Sequence, residues 1–250
     1  MARKSIAQKK AIRQARKRGP DQSVVIDIKS RNSFIETQAL TPRPAPPLKA
    51  KTLSQSEYIN AIKSHKLTFG IGPAGTGKSY CAGAIAAEEL EARRIEKIII
   101  SRPAVEAGEN MGFLPGDLQE KFDPYFDAFR DCLNERMGKG AVECGLKNGR
   151  IVVSPLAYLR GKTFNDAFVV LDEAQNCTST QLKMFLTRIG ENCRVVVNGD
   201  LRQSDIGRSS GLQDAIDRLG GLDPVYIHEF GHDDIVRSGL VKDIIQRYEY

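Results

Sequence analysis

Gly72-Pro73-Ala74-Gly75-Thr76-Gly77-Lys78-Ser79 decides the reading of this 250-residue chain. It fits the pattern G-x-x-x-x-G-K-[ST], which average residue frequencies would produce by chance in only about one chain of this length per hundred. Its surroundings fit as well. Leu67–Ile71 is a short apolar run with the character of a strand. The stretch from Lys78 to Arg93 puts Ala82, Ile85, Ala86 and Leu90 on one helical face. A strand, a glycine-rich turn and a helix opening at Lys-Ser make a P-loop. Glycines let backbone N–H groups wrap phosphates without a Cβ in the way, and the helix N-terminus favours the negative charge. Lys78 is then expected to reach the β- and γ-phosphates, and the Ser79 hydroxyl to ligate Mg²⁺. Gly72 to Ser79, with Tyr80, form the expected nucleotide-binding set. The bland alternative is a Gly-rich strand-to-helix turn.

Three further stretches belong to the same chemistry. Phe168-Val-Val-Leu-Asp172-Glu173-Ala174-Gln175 is an apolar run ending in two acids. Asp172 is expected to hold Mg²⁺ and Glu173 to polarise the attacking water. Alone such a pair is often only a helix cap. Val195-Val-Val-Asn198-Gly199-Asp200-Leu-Arg-Gln203 repeats the design, and Gln203 can bond the γ-phosphate or the water. Gln55 lies 17 residues before Gly72, and its amide can meet both a donor and an acceptor on adenine. Without the other motifs it would read as a solvated helix residue.

The rest of the chain reads as alternating strands and amphipathic helices. Strands are expected at Lys97–Ser101, Arg150–Val153, Arg194–Val197 and Val225–Glu229, and helices at Phe122–Met137, Thr178–Ile189 and from about Asp233. Thr178 and Gln181 spell a capping box, with Gly190 as a stop. Apolar strands without strict alternation predict an α/β parallel sheet covered on both faces. Before it, Thr41–Leu48 has four Pro in eight residues and reads as an extended linker. The expected organisation is a basic arm with a Pro-rich linker over 1–48, containing a short strand at Ser23–Ile28, and one domain over 49–250.

Composition bounds the function classes. Hydrophobic residues make up 41%, enough for a sizeable core. No apolar run approaches the ~18 residues needed to cross a bilayer, and the N-terminus MARKSIAQKKAIRQARKRG has no apolar stretch of a secretory signal. Five Cys, none in a C-x-x-C pair, point away from zinc or a disulfide framework and toward a reducing cytoplasm. The net charge of +6 is uneven: residues 1–51 carry +10 and the remainder −4. The arm therefore reads either as a nucleic-acid contact or as a solvated tail.

In seven ordered blocks the chain resembles the PhoH-like ATPases, single-domain relatives of superfamily 1 helicases. They are GPAGTGKS (72–79), SRPAVEAGENMGFLPGDLQEKFDPYFD (101–127), PLAYLRGKTF (155–164), LDEAQNCTSTQLKMFLTRIG (171–190), NGDLRQSD (198–205), SSGLQDA (209–215) and DDIVRSGLV (233–241). The resemblance implies a RecA-like P-loop fold, ATP binding, work on RNA or single-stranded DNA, and a bacterial or phage source. Ser79 stands where that family usually has Thr, a change that keeps the hydroxyl. The arm lies outside the resemblance.

Superfamily 1 helicases place ATP between two RecA-like domains, the second of which supplies arginines. With one domain here, the expectation is a homo-oligomeric ring, plausible as a hexamer, in which a neighbour's Arg237 or Arg188 reaches the γ-phosphate. Each has a plainer reading: Arg237 as a helical i,i+4 partner of Asp233, Arg188 as a helix C-terminal charge. Ser101-Arg102-Pro103 and Arg160-Gly161-Lys162-Thr163 suit phosphate contacts with nucleic acid. His65, His228 and His232 lack metal-ligand spacing. Two function classes follow: an ATP-hydrolysing enzyme coupled to RNA or single-stranded DNA, or a nucleotide-dependent switch or nuclease-associated ATPase that does not unwind. A small-molecule kinase would need a lid and an acceptor site.

Overall fold

The computed structural model describes residues 46–103 and 118–237, together with 239–241, 244 and 247. Residues 1–45 of the predicted arm and linker over 1–48, including the strand at 23–28, lie outside the described residues. So does the stretch 104–117 of the second block.

Six strands form one parallel sheet in the order β3-β2-β4-β5-β1-β6. They are β1 (Leu67–Ile71), β2 (Lys97–Arg102), β3 (Ile151–Pro155), β4 (Ala167–Leu171), β5 (Cys193–Gly199) and β6 (Val225–Glu229). The helices are α1 (Leu53–Ser64), α2 (Lys78–Glu91), α3 (Leu118–Met137), α4 (Lys139–Lys147), α5 (Ser179–Leu186) and α6 (Leu212–Leu219). The P-loop follows β1 and the acid pair follows β4, with β5 between them, which is the RecA-like arrangement. Among the described residues no helix is long and apolar enough to cross a membrane.

Strand alternation divides the core into two layers. Ile98, Ile100, Phe168, Val170 and Val196 face α1 to α4, where they meet Tyr58, Ile62, Ile85, Leu90, Phe129 and Leu133. Ile99, Val169, Leu171, Val195 and Val197 face the opposite layer, against Leu182, Phe185, Leu212 and Ile216 of α5 and α6. The four central strands β1, β2, β4 and β5 are covered on both faces, so they have no exposed polar side and read as nearly continuous apolar runs, while the edge strands β3 and β6 are part-exposed.

Helix α2 carries Ala82, Ala84, Ile85, Ala86 and Ala87 fully buried. Its Gly83 is a close-approach position: a Cβ there would stand 3.2 Å from Cys132 Sγ and 3.3 Å from Phe129 Cδ1 of α3. A glycine inside a helix costs ~1 kcal/mol, while each fully buried Ile or Phe contributes about 1.5–3 kcal/mol. Packing therefore outweighs propensity here.

Several predicted boundaries move. α2 ends at Glu91 rather than Arg93, whose φ of 56° is left-handed. α5 has the predicted Thr178–Gln181 capping box, with both reciprocal bonds, but its helix stops at Leu186. Gly190 is no helix stop: it is pressed against the chain before β4, donating to Phe164 O at 3.0 Å, and a Cβ would lie 2.7 Å from that oxygen. No helix begins at Asp233. His232–Asp234 form a 3₁₀ turn, Ile235 is extended, and helical residues resume at Gly239. The Val236 N–H is committed to Gly75 O at 2.9 Å, which draws this segment across the P-loop instead. Asp233 and Arg237 thus do not share a helical face.

Candidate nucleotide site

Register brings the motifs together. Ile71 pairs with Gly199, Leu171 with Val197, and Ser101 with Leu171. Gly72, Asp200 and Asp172, which follow their strands, and Arg102, the last residue of β2, therefore emerge side by side at the C-terminal edge of the sheet, where open α/β sheets bind ligands. Asp200, Asp172 and Arg102 line a cleft of about 310 Å³ with Gly75, Lys78, Ser79, Glu173, Gln203 and Arg237.

The loop over 72–77 takes its shape from glycines at φ 139°, 84° and 88° (Gly72, Gly75, Gly77), a region closed to most side chains. Lys78 Nζ lies over the loop, donating to Gly72 O at 2.6 Å and Pro73 O at 2.8 Å. Burial pulls the Lys78 ammonium below its ordinary pKa, against the opposing pull of Asp200, Asp172 and Glu173. Ser79 Oγ donates to Asp172 Oδ1 at 2.9 Å. Burial raises the Asp172 carboxyl, and Arg102 is the main influence holding it down. An adjacent hydroxyl and carboxylate are the hard oxygen donors that Mg²⁺ takes beside phosphate. The predicted Lys78, Ser79, Asp172, Glu173 and Gln203 thus line one cleft.

Glu173 has φ 55°, a left-handed conformation for a non-glycine residue. Both carboxylate oxygens are held: Oε1 accepts from Arg102 Nη2 at 2.7 Å, and Oε2 from Gln175 Nε2 at 2.6 Å. Gln175 also accepts from the Asp200 N–H at 3.0 Å. It joins the turn after β4 to the turn after β5. The joint continues outward. Asn176 Nδ2 donates to Asp205 Oδ2 at 2.7 Å and Asn176 Oδ1 accepts from the Asp205 N–H at 2.8 Å. Ser204 Oγ donates to Gln175 O, Gly211 N–H to Cys177 O, and Thr178 bridges Ser210.

Four of the expected residues have surroundings that the sequence did not show. Gln55 is buried, and its amide serves its own chain: Oε1 accepts from Lys51 N–H and Nε2 donates to Thr76 O, both at 2.8 Å. It still lines a second, smaller cavity with Leu48, Tyr80, Val236 and Arg237, which continues from the cleft at Gly75 and Gly77. Arg102 does not stand free for nucleic acid but reaches both acids, with Nη2 3.3 Å from Asp172 Oδ2. Arg237 sits in this chain's own cleft. Its Cγ and Nε would lie 3.1 and 3.4 Å from a Cβ at Gly75. Arg188 is elsewhere, at the end of α5, with Nε donating to Met184 O and its carbonyl accepting from Phe164 N–H near the start of β4. That is the sheet edge opposite the P-loop. Arg160 and Lys162 are exposed in the loop after β3, outside the cleft.

Gln175 had no role in the sequence, and Arg102, expected at a strand end, has in Asp172 and Glu173 partners that the sequence did not show. Their signals were the fourth letter of the tetrapeptide DEAQ and the charge one residue past a buried strand. A larger depression of about 490 Å³ between α5 and α6, lined by Leu182, Leu186, Ala215 and Leu219 among others, carries none of Lys78, Ser79, Asp172, Glu173 and Gln203.

The model of the PhoH-like protein family matches residues 47–249. The chain is 49% identical over 203 residues to a PhoH-like protein of Mycobacterium bovis, covering 80% of this chain and 58% of the relative. It is 48% identical over 204 residues to one of Bacillus subtilis (81% and 64%), and 45% over 210 residues to the protein PhoH of Escherichia coli K12 (82% and 59%). The chain thus spans about three fifths of the length of these relatives. Among solved structures it is similar to the Pif1 helicase of Candida albicans, with TM-score 0.36 and 11% identity over 81% of this chain and 44% of that one. This chain belongs to the PhoH-like protein family.

Proposed function

We propose that this chain binds ATP with Mg²⁺ in the cleft and hydrolyses it, and that turnover is coupled to binding or movement along RNA or single-stranded DNA. The observation that carries the reading is the Ser79–Asp172 hydrogen bond beside Glu173, at the mouth of a P-loop with three positive-φ glycines. Ser79 and Asp172 would hold Mg²⁺, which when bound neutralises phosphate charge. Lys78 leaves its loop carbonyls for the phosphates. Glu173 polarises the attacking water, oriented by Gln175. Gln203 contacts the γ-phosphate or the water. Gln55 and Tyr80 border the base, Gln55 through the hydrogen-bonding capacity its amide keeps beyond Lys51 and Thr76. Arg237 serves its own nucleotide. Arg188 is the arginine left for a neighbour in a homo-oligomeric ring, a hexamer in our reading, within the cytoplasm.

The test is Glu173→Gln. We expect retained ATP binding and turnover lowered by about 10²–10⁴, the range for losing a general base. Failure to bind ATP would make Glu173 structural. A second reading, a nucleotide-dependent switch without unwinding, draws on the Arg102–Glu173 bond, which occupies the base. It expects ATP turnover with no strand separation on duplexes carrying single-stranded tails.

Residues 1–48, in the same proposal, are an arm that neutralises nucleic-acid phosphates. Deleting them should weaken binding to single strands and flatten its salt dependence, by about 0.7 in the slope of log K against log salt for each phosphate no longer neutralised. An unchanged slope would leave the arm a solvated tail.

A further inference from the structure

We propose that Arg102 is a latch on the hydrolytic acids, released when a phosphodiester of single-stranded nucleic acid takes its guanidinium. The inference rests on the function proposed above and names how the two ligands are coupled. Arg102 Nη2 lies 2.7 Å from Glu173 Oε1 and 3.3 Å from Asp172 Oδ2, so one guanidinium bridges the expected base and the expected Mg²⁺ ligand. The remaining carboxylate oxygens are taken by Gln175 and Ser79. While the bridge holds, Glu173 shares its Oε1 with a cation, and a divalent ion approaching Asp172 meets a positive charge next to its ligand oxygen.

Topology decides which ligand opens the latch. The P-loop side of Asp172 lies toward β5 and β1, and β2 flanks β4 on the other side. Arg102 ends β2 and reaches the acids from the side away from the strand that presents the triphosphate. A ligand on that flank competes for the guanidinium without contesting the P-loop. The guanidinium fork binds phosphate oxygens as it binds carboxylate oxygens, so a phosphodiester is a direct competitor for the bond to Glu173. Arg102 is also part-exposed, at 22% of its side chain, and within reach of such a ligand.

The experiment compares full-length wild type, Arg102→Ala and Arg102→Lys, with thermal unfolding to confirm that each is folded. Arg102→Gln, which keeps much of the side chain's bulk, replaces Ala if that variant is not. ATP turnover is measured alone, with a uridine oligonucleotide and with a thymidine oligodeoxynucleotide; the two arms separate RNA from DNA as the source of the phosphate. In Arg102→Ala, turnover without nucleic acid should rise about tenfold, the order a charge-assisted hydrogen bond is worth. Stimulation by either oligonucleotide should fall toward one, and Arg102→Lys should keep part of it. Mn²⁺ binding in the presence of ADP, followed by electron paramagnetic resonance, should tighten about tenfold in Arg102→Ala. A fall in basal turnover in Arg102→Ala would instead make Arg102 a charge acting on ATP and overturn the latch. So would stimulation that persists in Arg102→Ala, or unchanged Mn²⁺ affinity. If wild type hydrolyses no ATP, the proposed function fails, and the Mn²⁺ titration still decides the latch by itself.

Discussion

Lys78→Ala abolishes ATP hydrolysis and leaves the fold in place: this is the largest effect expected of any single substitution here. The Nζ bonds that Lys78 makes go to the carbonyls of Gly72 and Pro73 and, at 3.4 Å, to the Thr76 hydroxyl, all within the P-loop. The helix it opens is held by Ala82, Ile85, Ala86 and Leu90, all buried in the core, and Lys78 is not one of the core residues. Removing it takes positive charge from the phosphates and leaves the core residues in place. Steady-state turnover and thermal unfolding, measured side by side, check both halves. Wild-type turnover in the variant would end the P-loop assignment.

The second expectation concerns the arginines. A catalytic arginine at a transferring phosphoryl group is worth roughly 10³–10⁵ in rate. Because Arg237 lies over Gly75 of its own P-loop, its loss should lower turnover on that scale within the same chain. Mixing separates the candidates. A Lys78→Ala chain and an Arg237→Ala chain should not rescue one another, since neither holds both groups in one cleft. A Lys78→Ala chain and an Arg188→Ala chain should recover part of the activity if rings form, because a site with an intact P-loop then faces an intact Arg188. Rescue with Arg237→Ala would mean that this arginine acts across an interface after all. With subunit exchange confirmed and Arg188→Ala inactive alone, absence of rescue would remove Arg188 as a donor in trans. Full activity of a monomer at every concentration would remove the ring.

The central strands were legible because they are buried on both faces: Leu67–Ile71 and Ala167–Leu171, buried throughout, lie where the apolar runs predict them, and the part-exposed edge strand Val225–Glu229 still matches its predicted bounds. Helix ends were less legible, because they are set by contacts distant in sequence. Gly190 answers to Phe164, and Val236 answers to Gly75. The chemistry of Lys78, Ser79 and Asp172 could be read from local spacing. Arg102 could not, since its partners lie about 70 residues away and meet it only through the pairing of Ser101 with Leu171. The helical alternative for Arg237, as a partner of Asp233, fell for a related reason. A helical pattern downstream of it concealed the extended turn that carries it back over the P-loop. α4 and α6 were missed: α4 offers few apolar residues, with Val142 and Gly145 buried, and α6 is only eight residues long.

The Asn176–Asp205 pair has a mechanical consequence. With Ser204 bound to Gln175 and Gly211 bound to Cys177, the chain from Asp200 to Gly211 is riveted at several points to the turn that starts α5. A rivet at one point permits rotation, whereas rivets at several points make a plate. Gln203 sits on that plate, so it cannot swing as a flexible loop would. Any displacement larger than the slack of a hydrogen bond has to be shared by the first turn of α5 and the start of α6. The inner edge of the cleft and the outer helices of this face are, in engineering terms, one stiff part.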